Sequence, residues 1–408
     1  MNLGLLKFRI RISITGFIKF CIHLLGAILV GPFVRYRHPA TVSPKSARLG
    51  ILYICLAFRG DLILNFPAIK AIKRAYPQSS ITCWVREYNE DLAALNRNID
   101  NVITYDKFPS SGIGFLLRPL TIGKHRPFID KIRRMRFDIC VDDSGYAFTS
   151  VVGFLAGIPY RVGRNGQGFG FLYHYEYPYD FNAQLIEKRL RLLEPLGIVI
   201  DNPDDLYPSI SLGPDLLPPV MEKCGLNTDQ SNYVTIQPFG GWAAKNWDID
   251  KFAQVVDHFV SATKNIPVFI GGPEDVAGIS SMAAAVKARS INTAGTLTVA
   301  ESAILISGAR LHLGVDSFGA HFAAAVGVAG LTIFGPTNPE LSAYLGPRNV
   351  AVIKKTKCTP PANRIYCCPD AGRSCKRLSC MRELQAEDVS KVLMTLWEGK
   401  QAVRVTAF

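Results

Sequence analysis

The chain runs twice through the same alternation, a short apolar segment of strand length followed by a segment with helical spacing. In the first pass the apolar runs are Leu49 to Phe58, Ile81 to Val85, Val102 to Tyr105 and Phe137 to Val141, and a helical pattern runs from Gly60 through Tyr76. In the second they are Tyr233 to Gln237, Ile266 to Ile270, Arg310 to Val315 and Gly330 to Phe334. Helical segments between them cover Asp248 to Ala262, Ser281 to Ala288, Val299 to Ser307 and Gly319 to Val326. Strands that alternate with helices imply parallel βαβ units. Pro203, Pro208, Pro214, Pro218 and Pro219 mark a joint between the two passes. At 408 residues the chain exceeds what one core usually accommodates. The expected fold is α/β, with two Rossmann-like halves facing across a cleft at the carboxyl ends of both sheets. A single long α/β domain is the alternative, and the proline-rich joint disfavours it. The expected boundaries are 1–47 for a membrane-associating segment and linker, 48–212 for the first half, 213–385 for the second, and 386–408 for a carboxyl-terminal helix and tail.

Charge separates the amino terminus from the rest. Residues 1–60 carry nine Lys or Arg and no acid, within a formal net charge of +13. Two further basic stretches are 107–136 and 345–382, each with a single acid, Asp130 and Asp370. Such edges suit an anionic membrane surface or a phosphorylated acceptor. No helix-turn-helix, zinc-finger or RNA-binding aromatic signature supports nucleic acid as a partner. Residues 12–34 are mostly apolar, with Lys19 and His23 near the middle. A cleavable signal and a full span are both open readings, but no small-x-small site follows and the mid-run charge burdens a span. A monotopic amphipathic anchor is favoured. Pro39 to Pro44 reads as the linker to the first strand.

Four local patterns carry chemistry. Arg59-Gly60-Asp61-Leu62 stands where the first strand gives way to a helix, so Asp61 is either an N-cap or a general base, and position alone favours the cap. Gly240 and Gly241 open a loop that reaches Lys245. Glycines let backbone N–H groups approach a phosphate, while the bland reading of Lys245 is a solvated loop cation. Asp316, Ser317, Phe318, Gly319 and His321 span another strand-to-helix junction, where N–H groups and the helix dipole favour a diphosphate. His321 by spacing alone is as readily structural. Phe334-Gly335-Pro336-Thr337 is a turn after the next strand. Asp142-Asp143 and Asp204-Asp205 look like metal-binding acid pairs, but the first follows a strand and the second lies in the joint.

In order and spacing these patterns resemble glycosyltransferase family 9, the lipopolysaccharide heptosyltransferase family. The matching residues are Gly60-Asp61 with Pro67-Ala68, Lys245-x-Trp247, Gly271-Gly272 with Glu274, Ala294-Gly295, Asp316-Ser317 with His321, and Phe334-Gly335-Pro336-Thr337. The resemblance covers about residues 48–398. It implies a GT-B fold and inverting transfer, usually of heptose from ADP-heptose to a lipopolysaccharide inner core; Lys245 and the helix start at Ser317 can stabilise the leaving diphosphate without metal, so metal-independent transfer is expected. It makes Asp61 the base, brings Lys245 to the donor phosphates and Glu274 to the nucleoside, and gives Asp316 and Ser317 the sugar and diphosphate. Phe318 stands where members often carry Gly, and Leu297 where a Thr or Met commonly lines the base pocket, so both bear on donor identity. Arg59, Arg161 and Arg164 are the candidate acceptor-binding cations. The partners implied are a nucleotide-sugar donor and an anionic lipid-linked saccharide, at the cytoplasmic face of a bacterial inner membrane. The same fold with a UDP- or GDP-sugar, or a non-catalytic scaffold, are the competing functions.

Of ten cysteines, five crowd into residues 358–380. This is not the even framework of a small secreted domain, and the compartment reads as reducing. Cys358, Cys367, Cys375 and Cys380 are candidate ligands for a structural zinc or iron. Some autotransporter heptosyltransferases similar in this segment bind iron there. Free thiols packed in a loop are the alternative.

Overall fold

The computed structural model describes residues 21–32, 34, 48–107, 122–177, 184–200, 206–227, 232–343, 346–368, 372–373, 375–400 and 404–408. Both passes become parallel sheets. In the first half β1 (Gly50–Cys55), β2 (Ser80–Val85), β3 (Asn101–Thr104), β4 (Ile139–Asp142), β5 (Tyr160–Arg164) and β6 (Tyr175–Tyr177) lie in the order β3-β2-β1-β4-β5-β6. In the second, β7 (Tyr233–Gln237), β8 (Ile266–Phe269), β9 (Ile291–Asn292), β10 (His312–Val315), β11 (Gly330–Phe334), β12 (Asn349–Ile353) and β13 (Val405–Ala407) lie in the order β13-β12-β11-β10-β7-β8-β9. The apolar runs read as unbroken because central parallel strands are buried on both faces. In β1, Ile51, Tyr53 and Cys55 enter one core while Leu52 and Ile54 enter the core on the opposite face.

The two halves share one of these cores. It joins Ile51, Ile63 and Ile69 of the first half to Ile304, Leu305 and Phe322 of the second. A polar tie crosses as well, with Ala300 N–H donating to Asp91 Oδ2 at 3.1 Å. Asp248 caps the helix Ile249–Thr263 by accepting from the N–H groups of Asp250 and Lys251.

One expectation changes. The single helix expected through Tyr76 is two, Arg59–Ile63 and Phe66–Ala75. Pro67 sits in the first turn of the second, where its missing N–H costs nothing. The helix Ala386–Trp397 lies against Ile249–Thr263, with Trp397 edge-on to Phe259 at 5.3 Å, and β13 extends the second sheet. At the amino terminus, residues 21–29 are helical and sit on the first half. Gly26 is pressed against the Phe171 ring, and His23 lies 3.5 Å from Glu176 and 3.0 Å from Asn165. Leu25 and Leu29 face outward, 59% and 65% exposed. Among the described residues no helix is long and apolar enough to cross a membrane. Lys19, the linker at Pro39 to Pro44, Pro203 and Asp204-Asp205 lie outside the described residues.

Candidate functional site

A cleft of about 700 Å³ opens between the halves. Arg59, Gly60 and Asp61 line one wall, and Lys245, Asp316, Ser317 and His321 the other. Asp61 is not a cap. Phe58 holds that position, and Asp61 lies in the first turn with its carboxylate 35% exposed and 2.9 Å from Arg189 Nη2. Its helix is pinned to β1 through Asn65, which donates to Asp61 O at 2.8 Å and accepts from the Tyr53 hydroxyl at 2.6 Å.

Lys245 is not a solvated cation. Its ammonium meets Asp316 Oδ2 at 2.7 Å, donates to Asp316 O at 3.0 Å, and lies 4.1 Å from the centre of the Trp242 ring. Asp316 also accepts from Thr337 Oγ1 at 2.6 Å, and His321 Nε2 stands 3.9 Å from its other oxygen. Burial alone would raise the Asp316 carboxyl. The Lys245 and His321 charges and the bonds from Lys245 and Thr337 outweigh it, holding the group below its usual range. Burial pushes His321 down, opposed by Asp316 and Asp61. The result is a half-buried, preorganised cation beside the start of the helix Phe318–Ala325.

Gly240 lines the cleft and packs on the Lys245 stem, but its N–H donates to Asn246 Oδ1 at 2.9 Å and so is not free to meet a phosphate. Gly241, Glu274, Leu297, Ser317 and Phe318 all line the cleft. Gly319 differs from expectation. Its N–H donates to Gln237 Oε1 at 2.9 Å inside the protein, so it is not free to meet a phosphate. The same Gln237 amide donates to Ser317 Oγ at 3.3 Å and fixes the junction.

The sequence profile described as glycosyltransferase family 9 (heptosyltransferase) matches residues 125–367. The chain belongs to this family. It is therefore a glycosyltransferase. Lipopolysaccharide heptosyltransferase 3 of Escherichia coli strain K12 is 25% identical over 297 residues, covering 69% of this chain and 81% of that protein. The structure of E. coli ADP-heptose lipopolysaccharide heptosyltransferase II matches with a TM-score of 0.70 at 18% identity, over 87% of this chain and 100% of that one. The family 9 glycosyltransferase structure from Veillonella parvula gives 0.71 at 21% identity, over 88% and 99%. These solved structures agree with the two-sheet GT-B architecture of this glycosyltransferase.

Only one of the three candidate acceptor arginines in this glycosyltransferase reaches the cleft. Arg59 lines it, 5.3 Å from the centre of the Tyr88 ring. Arg161 is 3% exposed and spends its guanidinium on the Leu172 and Ile158 carbonyls, because β5 is a buried strand. Arg164 turns to Asp143, 3.2 Å away. Arg189 is not among the residues expected from sequence, since it lies in a helix, Leu185–Arg191, with no motif around it. The cysteine-rich loop is not separate from the site. That loop is a wall of the cleft. Asn338 N–H donates to Ile365 O at 2.7 Å, Cys367 N–H to Pro336 O at 2.9 Å, and Ile365, Tyr366 and Arg373 line the cavity. Arg373 lies 5.0 Å from the centre of the same Trp242 ring that Lys245 covers.

The thiols of this loop gather on one side of that wall. Burial, the contact with Cys368 at 3.5 Å and the nearby Cys358 and Cys380 push Cys367 up to about 12. Cys358 turns to Thr356 at 3.3 Å, and Cys375 accepts from Leu378 N–H at 3.4 Å. Among the described residues no group of three or more His, Cys, Asp or Glu is arranged to hold a metal ion. The Asp142-Asp143 pair is spent on protein partners. Asp142 accepts from Ser144, Gly145 and Tyr173, while Asp143 faces Arg164 and Arg189.

Proposed function

We propose that the cleft transfers heptose from ADP-heptose to an anionic, lipid-linked saccharide of the lipopolysaccharide core, with inversion at the anomeric carbon. The observation that carries this reading is the opposition of Asp61 on one wall to the Lys245–Asp316 pair on the other. Asp61 takes the proton of an acceptor hydroxyl. The freed oxygen attacks the anomeric carbon from the face opposite the nucleotide, and the bond to the diphosphate oxygen breaks with its electron pair leaving on ADP. An ammonium has three N–H donors. Lys245 places two on Asp316 Oδ2 and Asp316 O, and the third serves the departing diphosphate together with the helix start at Ser317. Glu274 and Leu297 contact the nucleoside side. Arg59 is the acceptor-side cation. The reaction is expected to survive EDTA.

The acceptor's lipid places the enzyme at the cytoplasmic face of the inner membrane. Support comes from Leu24, Leu25, Ile28 and Leu29, an outward apolar stripe on a helix whose opposite side is seated on the first half. A second donor reading, a UDP- or GDP-sugar, draws on Leu297 and Phe318 in the cleft wall. Thermal unfolding in the presence of ADP-heptose, UDP-sugars and GDP-sugars separates them, since a ligand stabilises the state that binds it. ADP-heptose is expected to give the largest rise in Tm. A larger rise with a UDP- or GDP-sugar overturns the donor assignment.

A further inference from the structure

Asp61 does not stand alone. Arg189 bridges two carboxylates that are far apart in sequence, with Nη2 2.9 Å from Asp61 Oδ1 and Nε 3.3 Å from Asp143 Oδ2. Asp143 in turn lies 3.2 Å from Arg164 Nε. The Arg189 and Asp143 side chains are 6% and 2% exposed, whereas Asp61 opens to the cleft. Four alternating charges thus run from the interior of the first half to its cleft face. The two members farthest from Asp61 are fixed by secondary structure, Asp143 just beyond β4 and Arg164 at the end of β5.

We propose that Arg189 is the positioning residue for the catalytic carboxylate, and that Asp143 is the counter-charge that lets it do so. This rests on the proposed role of Asp61 as base. The guanidinium holds one Asp61 oxygen and thereby aims the other at the acceptor hydroxyl. Removing a buried charge's partner is costly, so a lone Arg189 would be left uncompensated at the moment Asp61 takes the proton. Asp143 prevents this. When the proton moves from the acceptor oxygen to Asp61, Arg189 keeps a full negative partner, and the proton stays on Asp61 until it is lost to solvent. Burial works against the Arg189 charge, but Asp143 and then Asp61 more than offset it, so the guanidinium stays protonated throughout. A purely structural Arg189 would need only the Asp143 contact.

The test uses the full chain with ADP-heptose and a de-acylated inner-core oligosaccharide. Arg189→Met is expected to lower kcat by about 10²-fold, as losing the aim of a general base should. The donor KM should stay within about threefold, because the donor cations are on the other wall. The acid limb of the kcat/KM profile should move to higher pH. Combined with Asp61→Asn, Arg189→Met should cost nothing further, since both remove one function. Arg189→Lys keeps the charge without the fork and should retain the acid limb with kcat reduced about tenfold. If Arg189→Met does not fold, Arg189→Lys and Asp143→Asn give the same readouts. Coupling between Arg189→Lys and Asp61→Asn in thermal unfolding reports the pair without any turnover. Wild-type kcat and an unmoved pH profile in the folded variants, or additive losses in the double variant, overturn the proposal. A wild-type protein that transfers nothing from ADP-heptose counts against the proposed function instead, and the unfolding cycle then decides the Arg189–Asp61 pairing by itself.

Discussion

A Cβ built on Gly60 would lie 2.7 Å from His321 Cδ2, so the backbone of the first half touches an imidazole of the second with no room for a side chain. Gly60 is therefore glycine for approach across the cleft, and this contact sets the distance between Asp61 and the Lys245–Asp316 pair. Gly60→Ala is expected to leave both halves folded while prising them apart. Small displacements of reacting groups are expensive, and kcat/KM should fall by about 10²-fold. Steady-state kinetics and a crystal structure of the variant check this; wild-type kcat/KM would show that the contact does not set the geometry.

Lys245→Ala should weaken the donor KM and kcat together, because the ammonium meets the diphosphate in the ground and transition states. It should also destabilise the fold, since Asp316 is buried and loses its main counter-charge. Adding Asp316→Asn should recover part of the Tm but none of the activity. Thermal unfolding of the single and double variants measures the first statement and kinetics the second.

His312 gives a pH signature away from the chemistry. Burial lowers its pKa from 6.5 to about 3, and its Nδ1 lies 3.1 Å from Thr235 Oγ1. The unfolded chain therefore binds a proton between pH 6.5 and about 3 that the folded chain does not. Stability is complete above pH 6.5 and is lost as pH falls toward 3. Between pH 6.5 and 5 the loss is about 2 kcal/mol. His312→Gln, which cannot take up that proton, should flatten the slope of denaturant-derived stability over this range. An unchanged slope would show that His312 titrates normally in the folded chain.

Leu25→Glu with Leu29→Glu should abolish flotation with anionic vesicles and leave transfer to a soluble acceptor unchanged. Both residues point outward, so the substitutions spare the face that meets Phe171. Deleting residues 1–44 is a poorer test, because it also strips that buried contact. A double variant that still floats would move the membrane contact to the basic helix Ile122–Arg134.

The parallel sheets were legible because burial on both faces writes a strand as an unbroken apolar run, as in Tyr233–Gln237 and Gly330–Phe334, both found at their expected limits. β9 and β13 are too short to leave such a run. The cleft residues at strand ends were legible for a related reason, since glycine, acid and hydroxyl are concentrated where strand turns into helix. Arg189 was not. Its importance comes from tertiary neighbours, Asp61 and Asp143, that its own helix does not announce. Arg161 misled in the opposite direction, a charge that the fold buries on backbone carbonyls. The cysteine-rich loop looked separate because it meets the cleft through Ile365, Tyr366 and Arg373, which no motif marks.

The most direct measurement is turnover by wild type and Asp61→Asn with ADP-heptose and the inner-core oligosaccharide, with the anomeric configuration of the product read by NMR. The account predicts an inverted product, a donor KM close to wild type in the variant, and kcat lower by about 10²-fold or more. Wild-type kcat in Asp61→Asn, or a product of retained configuration, would contradict it.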